Sequence, residues 1–337
     1  MISSEQAADT VGRFRGRRIL VVGDLMLDRY ISGSVSRISP EAPVPVVCVR
    51  NEHSQPGGAA NVALNIQSLG GAAVVAGIVG KDEAAGELEA LLSGAGIDTA
   101  GMLQHDGIAT TVKTRILAER QQVVRVDREC ADGGMPAELE RAMCERIGEL
   151  ASGVDGIVIE DYGKGVVSQK VVDAVLAAAG DGIPVGFDPK ENHELTVAGV
   201  AVATPNYSEA LSAAGLGWGV PAPKPGDSAA LASIAEALRA KWKPGLLIVT
   251  LGSQGMYMVP EKGTPRMIST KAREVFDVSG AGDTVIAAAV LATVAGADHE
   301  TATSLANYAA GVVVGKIGTA TCSPDELLAC VEAREPE

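Results

Sequence analysis

The sequence predicts an α/β fold whose mostly parallel central sheet carries helices on both faces. Short apolar runs rich in β-branched residues recur along the 337 residues, which is typical of buried parallel strands. Between most of them lie stretches of helical periodicity, and this alternation predicts a parallel sheet covered on both sides. A hydrophobic content of 47% is ample for the core of such a fold.

The predicted elements alternate along the chain. The apolar strands are 18–24, 74–79, 156–159, 184–187, 200–203 and 246–250. The helical patterns cover 59–69, 84–95, 136–151, 168–179, 228–241 and 285–294. Ligands of such sheets bind at the carboxyl ends of the strands, so polar motifs that directly follow strands are candidate functional residues.

Two segments, 29–50 and 108–127, depart from the α/β pattern. Both alternate β-type residues without helical periodicity, and the first contains Pro40, Pro43 and Pro45, which favour the edge of a sheet. We predict that they form a small β-strand lid on a single domain spanning 1–337. Lids of this kind exclude water and complete a site when substrate binds.

The composition excludes several classes of partner. A net charge of −14 at pH 7 lacks the basic footprint that nucleic acid requires, so an anionic substrate would need a local cluster of Lys and Arg. The 5 Cys include no C-x-x-C pair, which argues against zinc and a disulfide framework. The amino terminus lacks the apolar core of a signal peptide, and no apolar stretch is long enough to span a membrane. We therefore expect a cytoplasmic protein.

The segment 277–284, Asp-Val-Ser-Gly-Ala-Gly-Asp-Thr, is the most informative motif. It places a Gly-Ala-Gly turn directly before a helical run, where the first backbone N–H groups have no internal partner. The helix macrodipole adds partial positive charge there, so this end suits an anion such as phosphate. Asp283 would stand beside that anion as a base. An ordinary Gly-rich loop capped by Asp is the alternative for the motif taken alone.

Polar residues near the first strand and the first long helix also have two interpretations. Gly57 and Gly58 precede a helix that carries Asn61 on its first turn. They form either a tight turn with a cap or a close backbone approach to a polyhydroxyl ligand. Asp24 and Asp28 follow the first strand and are either solvated carboxylates or ligands of sugar hydroxyls.

Three later motifs follow strands. Lys164 in the segment 161–165 and Lys190 in 188–190 are either solvated at surface turns or part of a site for an anion. Asn206 and Glu209 are either a helix cap, with the acid favoured by the dipole, or residues that orient Mg²⁺-bound water and a nucleotide phosphate.

The order of these motifs resembles the ribokinase-like (PfkB) family of carbohydrate kinases. Gly-Gly-x-x-Asn near the start and Asp-x-x-Gly-Ala-Gly-Asp near the end are that family's two signatures, and the resemblance covers about 18–328. One branch, the D-glycero-β-D-manno-heptose-7-phosphate kinases, is the most similar. The segments that resemble it are 23–30, 36–47, 121–122, 161–165, 188–190 and 309–316.

The resemblance implies ATP-dependent phosphorylation of the anomeric C1 hydroxyl of heptose 7-phosphate, which yields the 1,7-bisphosphate on the route to ADP-heptose and the lipopolysaccharide core. Asp283 would take the hydroxyl proton, and the N–H groups of Gly280, Ala281 and Gly282 would stabilise the transferring phosphoryl group. ATP and Mg²⁺ are the implied cofactors, and a monovalent cation is a further candidate.

The other site roles are also implied by the resemblance. The sugar would contact Asp28, Gly57, Gly58 and Asn61. The candidates for binding the sugar phosphate or the ATP phosphates, not apportioned between them, are Lys113, Arg115, Lys164 and Lys190. The nucleotide would lie near Asn206, Glu209, Thr250, Gly252, Gly255, Asp277 and Asn307, with Mg²⁺ held at Asn206 and Glu209 through water and phosphate. Because family members often pair through their lids, we expect a homodimer.

Two departures from the branch leave alternatives open. The chain ends at Glu337, so we expect the nucleotidyltransferase half of the bifunctional form to be a separate protein that acts downstream. Glu160 stands where a small Ser is expected and adds negative charge near the phosphate pocket.

The first alternative is a ribokinase-like kinase for another sugar, sugar phosphate or nucleoside. Tyr30 is the one aromatic residue in the lid segments, which favours a sugar over a nucleoside. The second alternative is a non-catalytic sugar or nucleotide sensor, since fold alone does not prove function. The intact Asp283 and its Gly-Ala-Gly turn argue against the sensor.

Overall fold

The structure, a computed structural model, describes residues 2–119, 121–130, 135–216, 228–272, 275–316 and 318–333. Its strands are β1 (Arg18–Gly23), β2 (Leu25–Ile38), β3 (Pro45–Gly58), β4 (Ala72–Gly80), β5 (Asp98–His105), β6 (Thr111–Ala118), β7 (Gln121–Arg128), β8 (Gly156–Glu160), β9 (Val185–Asp188), β10 (Val202–Ala203), β11 (Leu246–Thr250), β12 (Met256–Pro260) and β13 (Arg266–Ile268). Its helices are α1 (Ser4–Gly12), α2 (Ala59–Ser68), α3 (Glu83–Gly94), α4 (Ala137–Ala151), α5 (Gln169–Ala179), α6 (Tyr207–Ala213), α7 (Ser228–Trp242), α8 (Ala281–Val294), α9 (His299–Val313) and α10 (Pro324–Glu332).

Nine of the described strands form the central sheet, in the order β13-β12-β11-β10-β9-β8-β1-β4-β5. The neighbours from β11 through β5 pair in parallel, whereas β12 pairs antiparallel with both β11 and β13. The predicted mostly parallel sheet is therefore confirmed. Three strands at the two ends of the sheet were not predicted from the sequence: β5, β12 and β13.

Helices cover both faces of this sheet, as predicted. Along β1, Ile19 and Val21 point into a core shared with α1, α2, α3, α8, α9 and α10. Leu20 and Val22 point into a second core shared with α4, α5, α6 and α7. Successive strand residues face opposite sides, so one continuous apolar strand serves both cores. No helix of the described segments is long and apolar enough to cross a membrane.

The predicted helices are present, and most of their ends agree to within one residue. Helix α8 differs, because it begins at Ala281, four residues before the predicted 285–294. The Gly-Ala-Gly turn therefore overlaps the first turn of the helix. This places Asp283 on the helix itself rather than in the loop before it.

The two segments predicted as a lid form a separate sheet in the order β3-β2-β6-β7. Pro45 and Pro56 lie in β3, at an edge of that sheet, where a missing N–H costs no ladder hydrogen bond. Strands β2 and β3 each span 14 residues and are longer than the short strands predicted, because they continue into the body of the protein. The role of this sheet as a lid stays a prediction.

Helix α8 lies very close to the central sheet because two glycines face it. A Cβ atom at Gly186 of β9 would lie 2.4 Å from Val290 Cγ2, and one at Gly156 of β8 would lie 2.8 Å from Val294 Cγ2. Both distances are shorter than packed carbon atoms allow. The missing side chains let α8 pack directly on β8 and β9.

The packing of α8 predicts that Gly186→Ala destabilises the protein, by about 1–3 kcal/mol, since the added methyl group overpacks the interface with Val290. Chemical denaturation measures the change. Gly148→Ala in α4 is the control, because no atom lies within 4 Å of its added methyl group. There we expect stabilisation of about 0.5–1 kcal/mol from helix propensity. An unchanged denaturation midpoint for Gly186→Ala would contradict the close packing.

Candidate active site

Asp283 lies on the first turn of α8, and only 4% of its surface is exposed. Asn61 Nδ2 donates to its Oδ2 at 2.6 Å, and the Tyr162 hydroxyl donates to its Oδ1 at 2.7 Å. Burial raises the pKa of the Asp283 carboxyl, and the hydrogen bonds from Asn61 and Tyr162 act in the opposite direction. The result is a fixed carboxylate that is more basic than a solvated Asp.

A buried ladder of hydrogen bonds joins α2 to α8. Thr284 Oγ1 donates to Asn65 Oδ1 at 2.8 Å, and Asn65 Nδ2 donates to the Asn61 carbonyl oxygen at 2.9 Å. Asn61 and Asn65 stand one helical turn apart, so both face α8. Because these residues and Asp283 are all buried, breaking one bond would strand a polar group away from water.

Two glycines shape the starts of these helices. Gly280, before α8, has φ of 76°, and a Cβ there would lie 2.7 Å from Asn61 Nδ2. Gly58, before α2, has φ of 57°, and a Cβ there would lie 2.5 Å from the Asp24 carbonyl oxygen. Positive φ and lack of space both require Gly at these positions.

The start of α8 keeps backbone donors for a ligand. Ala281 donates its N–H to the Val278 carbonyl oxygen at a long 3.3 Å. Within the described residues, the N–H groups of Gly282 and Asp283 donate to no backbone carbonyl. Together with the helix macrodipole, these groups form a place for an anion beside the Asp283 carboxylate.

Asp28 and Arg115 form an ion pair where the lid sheet meets the body. Arg115 Nη1 donates to Asp28 Oδ1 at 2.6 Å, and Asp28 is 5% exposed. Gly57 lies against this carboxylate, because a Cβ there would be 2.8 Å from Asp28 Oδ2. The Arg115 guanidinium also lies over the Tyr30 ring, 5.3 Å from its centroid. The predicted sugar-side residues Asp28 and Gly57 are thus brought together.

Lys113 and Lys190 approach the Tyr162 ring. Their Nζ atoms lie 5.1 Å and 5.6 Å from the ring centroid. Desolvation lowers the pKa of Lys113, Asp28 opposes that effect, and the charges of Lys164 and Arg115 lower the pKa further. The four predicted basic residues are therefore neighbours, which is the local cluster of cations that an acidic protein needs to hold an anion. Lys164 is already paired with Glu129.

Tyr162 contacts Asp283 although the sequence assigned it no role beyond its place in the 161–165 motif. Its position next to Lys164, in a chain with 3% aromatic residues, is the signal that could have found it. Asp24 is 1% exposed, so it is not the solvated carboxylate that was one of its two interpretations. Its carboxylate accepts the backbone N–H groups of Tyr162, Lys164 and Val166 at 2.9–3.0 Å, so it holds this loop in place.

Asn206 and Glu209 form a capping box at the start of α6. Asn206 Oδ1 accepts the Glu209 N–H at 3.0 Å, and Glu209 Oε2 accepts the Asn206 N–H at 2.8 Å. Of the two interpretations of this motif, the helix cap is therefore observed. Burial raises the pKa of the Glu209 carboxyl to about 7, while the Asn206 N–H and the charge of Lys190 oppose the shift. A cation at Glu209 would be favourable.

The other predicted nucleotide residues shape nearby loops. Thr250 donates its N–H to the Pro205 carbonyl oxygen at 3.0 Å, beside Asn206. Gly252, with φ of 57°, opens a short turn that Gly255 closes at φ of 94°. Asn307 Nδ2 donates to the Ser269 carbonyl oxygen at 2.7 Å.

Asp277 lies apart from these residues. Its carboxylate accepts the N–H groups of Ser279 and Gly318 at 2.9 and 3.1 Å. Burial lowers the pKa of Arg115, but Asp28 and, to a smaller extent, Tyr30 and Asp277 outweigh that effect and raise the pKa. Across the described residues, no hydrogen bond joins Asp277, Asn307 or Thr250 to Asp283.

Glu160 ends β8 beneath the site and is 1% exposed. Its Oε2 atom has no hydrogen-bond partner in the described part of the chain. Asp188 is its register neighbour on β9. Burial raises the pKa of the Glu160 carboxyl well above its ordinary value, and the charges of Asp188 and Asp283 raise it further. These surroundings favour the uncharged acid.

Solved structures show the same fold. Arabidopsis thaliana ribokinase, solved with ribose and ATP, superposes with a TM-score of 0.70 at 20% identity, covering 94% of this chain and 99% of that one. Escherichia coli phosphofructokinase-2, solved with fructose-6-phosphate, gives 0.74 at 20% identity, with 94% and 98% covered. At this identity the likeness concerns the fold alone, and it confirms the predicted ribokinase-like architecture.

Sequence relatives are closer. The Bifunctional protein HldE of Pseudomonas aeruginosa (strain LESB58) is 42% identical over 324 residues, and that of Halorhodospira halophila is 43% identical over 320 residues. The matches cover 96% and 94% of this chain but 65% and 64% of the relatives. The chain thus spans just under two thirds of the length of these relatives.

The family comparison covers most of the chain. Residues 17–326 match the pfkB family of carbohydrate kinases. This range contains both signature motifs and every site residue described above. The chain therefore belongs to the pfkB family of carbohydrate kinases, which are enzymes that use ATP.

Proposed function

We propose that this kinase transfers the γ-phosphoryl group of ATP to the C1 hydroxyl of D-glycero-β-D-manno-heptose 7-phosphate. The buried Asp283 carboxylate beside the open start of α8 carries the proposal, because it places a base next to an anion site. The heptose assignment is supported by the relatives named HldE and by the motifs shared with heptose-7-phosphate kinases. Because the reaction consumes ATP, we propose that it takes place in the cytoplasm.

Asp283 acts as the general base in the proposed reaction. Its carboxylate takes the proton of the C1 hydroxyl while the oxygen bonds to the γ-phosphorus and the bond to the leaving ADP oxygen breaks. The raised pKa of the buried carboxyl makes it a better base near neutral pH. The N–H groups of Gly280 and Gly282 would stabilise the charge on the phosphoryl oxygens, where losing one donor costs about 3 kcal/mol.

The four basic residues of the site differ in whether they form an ion pair with a carboxylate. Arg115 and Lys164 pair with Asp28 and Glu129, whereas Lys113 and Lys190 form no ion pair with any described residue. We therefore assign the phosphates to Lys113 and Lys190. Lys113 on lid strand β6 takes the sugar 7-phosphate. Lys190, whose charge acts on Glu209, takes the ATP phosphates.

Asn206 and Glu209 fit Mg²⁺ by their oxygen chemistry. Glu209 lies among the negative charges of Glu191 and Asp161, which raise its pKa, so a divalent cation would relieve repulsion there. Among the described residues, no group of three or more His, Cys, Asp and Glu side chains is arranged to hold a metal, so water and ATP oxygens would complete the shell. When bound, Mg²⁺ would offset the charge of the ATP phosphates.

The lid sheet offers a surface for a second copy of the chain. Val35, Ile38 and Val49 on β2 and β3, and Val124 and Val126 on β7, are exposed apolar side chains. Such a patch favours association, because covering it removes apolar surface from water. We propose a homodimer that pairs through the lids.

Glu160 does not oppose a phosphorylated substrate. Its buried carboxyl favours the uncharged form, so it adds little negative charge near the phosphates. The presence of Glu160 in place of the expected Ser is therefore a weaker argument against heptose 7-phosphate as the substrate than the sequence alone indicated.

Asp283→Asn removes the base and keeps the shape of the side chain. We expect kcat to fall by about 10²–10⁴-fold, the usual contribution of a general base, while ATP still binds. ADP release measures turnover, and calorimetry measures ATP affinity. Asp298→Asn is the matched control, because Asp298 caps α9 and Asn caps equally well. Undiminished turnover in Asp283→Asn would refute the mechanism.

A panel of free and phosphorylated sugars tests the substrate. We expect the highest kcat/KM with heptose 7-phosphate and a large loss when the 7-phosphate is absent, because Lys113 then has no anion to bind. ADP release across the panel is the measurement. Preference for a hexose or a nucleoside would overturn the substrate assignment and leave the carbohydrate kinase family unaffected.

Glu160→Gln tests the ionisation of the buried acid. The folded protein retains a proton at Glu160 that the unfolded chain releases above its ordinary pKa of 4.5, so wild-type stability from this group is lost as the pH rises. We expect the variant to be more stable than the wild type at pH 8, by a margin that shrinks as the pH falls toward 4.5. Denaturation at several pH values measures this.

Glu145→Gln is the control for that series, because it removes one exposed carboxylate from α4. Its effect on stability should stay within about 0.5 kcal/mol. A difference between Glu160→Gln and the wild type that does not change with pH would show that Glu160 is ionised in the folded protein.

A further inference from the structure

We propose that Tyr162 is a positioning residue. Its hydroxyl orients the Asp283 carboxylate, and its ring holds Lys113 and Lys190, the two lysines assigned to the phosphates, at fixed positions beside that carboxylate. This inference rests on the proposed function, in which Asp283 is the base. It concerns a residue outside both signature motifs of the family. The ordinary alternative is a half-buried Tyr whose hydroxyl has only found a hydrogen-bond partner.

The Asp283 carboxylate is held by donors from two other elements. Asn61 of α2 donates to Oδ2 at 2.6 Å, and Tyr162, in the loop after β8, donates to Oδ1 at 2.7 Å. With one donor, the carboxylate could still rotate about its Cβ–Cγ bond. Two donors, one on each oxygen, fix the plane of the carboxylate. Each oxygen can accept a second hydrogen bond, so a substrate hydroxyl still finds an acceptor in a defined direction.

The position of Tyr162 is itself determined by buried contacts. Its backbone N–H donates to Asp24 Oδ2 at 2.9 Å, and Lys164 donates to the same oxygen at 3.0 Å. Asp24 is 1% exposed, at the junction of β1 and β2. The phenol therefore projects from a loop that is tied to the central sheet, and a rigid support is what a positioning residue needs.

The ring links the base to both lysines. Lys113 Nζ lies 5.1 Å and Lys190 Nζ 5.6 Å from its centroid, within the range of cation–π attraction. Lys113 comes from β6 of the lid sheet, and Lys190 follows β9 of the central sheet. One side chain thus contacts the base, a lid cation and a body cation, so its removal should affect more than the base.

The two parts of the side chain can be tested separately. Tyr162→Phe removes the hydroxyl and keeps the ring, so we expect kcat to fall about tenfold or more, as for a lost hydrogen bond to a charged group, with KM values within about twofold. Tyr162→Leu also removes the ring, so KM for both the sugar substrate and ATP should rise. Unchanged KM values in Tyr162→Leu would overturn the role of the ring.

The pH profile adds a readout that a structural role would not move. The Tyr162 hydroxyl stabilises the charged carboxylate, so Tyr162→Phe should shift the acid limb of the kcat profile to higher pH. The other charged groups that face Asp283 stay the same in both proteins. They are Asp28 on β2, Lys113 on β6, Glu160 on β8 and Asp188 on β9. An unshifted limb would count against the proposal.

A double-mutant cycle decides between positioning and packing. If Tyr162 acts through Asp283, Tyr162→Phe should lower the residual rate of Asp283→Asn by less than about twofold, because the group it orients is gone. Multiplicative effects would overturn the proposal, and so would a Tyr162→Phe single variant with full kcat. The cycle uses the best substrate in the sugar panel, with circular dichroism and ATP affinity as checks of folding.

The outcomes separate the two proposals. Full activity in Asp283→Asn means that the proposed base is wrong, whereas low activity in Asp283→Asn with full activity in Tyr162→Phe means that only the role of Tyr162 is wrong. Tyr257→Phe is the matched control, because it likewise removes a phenol hydroxyl but from β12, where Tyr257 is buried, and it should leave kcat unchanged.

Discussion

The hydrogen bonds between α2 and α8 are the constraint on which the site depends. Asn61 and Asn65 on α2 meet Asp283 and Thr284 on α8 with water excluded, so each lost bond would leave a buried polar group unpaired. The ladder sets the two helix starts against each other. Gly280 allows this approach, since any larger residue would collide with Asn61. The Asp283 carboxylate, the open N–H groups of α8 and the Asn61 side chain consequently share one space.

Several carboxyls lie beneath the site, although a kinase that uses ATP must hold phosphates there. Burial and mutual repulsion raise the pKa values of Glu160, Asp188 and Asp283, which limits the negative charge at neutral pH. Lys113 and Lys190 contribute the opposite charge without a carboxylate of their own among the described residues. An acidic protein can thereby keep a locally positive surface for an anionic substrate.

Much of the fold followed from local patterns. The apolar runs and helical periodicities located most elements of the central sheet, and the prolines of 29–50 indicated an edge strand. The strands β5, β12 and β13, toward the two ends of the central sheet, were missed because half-polar or short runs lack a clear period. Within the site, Asn61 contacts Asp283 and the charge of Asp28 acts on it, while the roles that the resemblance implied for these residues stay predictions. Tyr162 had no assigned role, because its partner Asp283 lies 121 residues away in the chain.

The sequence by itself determined the order of most central strands and of six helices, the glycine positions at helix starts, a candidate helix cap at Asn206 and the residue types available for phosphoryl transfer. These depend on periodicity, backbone freedom and local hydrogen bonding, all of which act within a few residues. Only the tertiary structure decided that Asp24 holds a loop, that Tyr162 contacts Asp283 and that Glu160 favours its uncharged form. Ionisation and hydrogen-bond partners depend on burial and on neighbours through space, which local sequence does not encode.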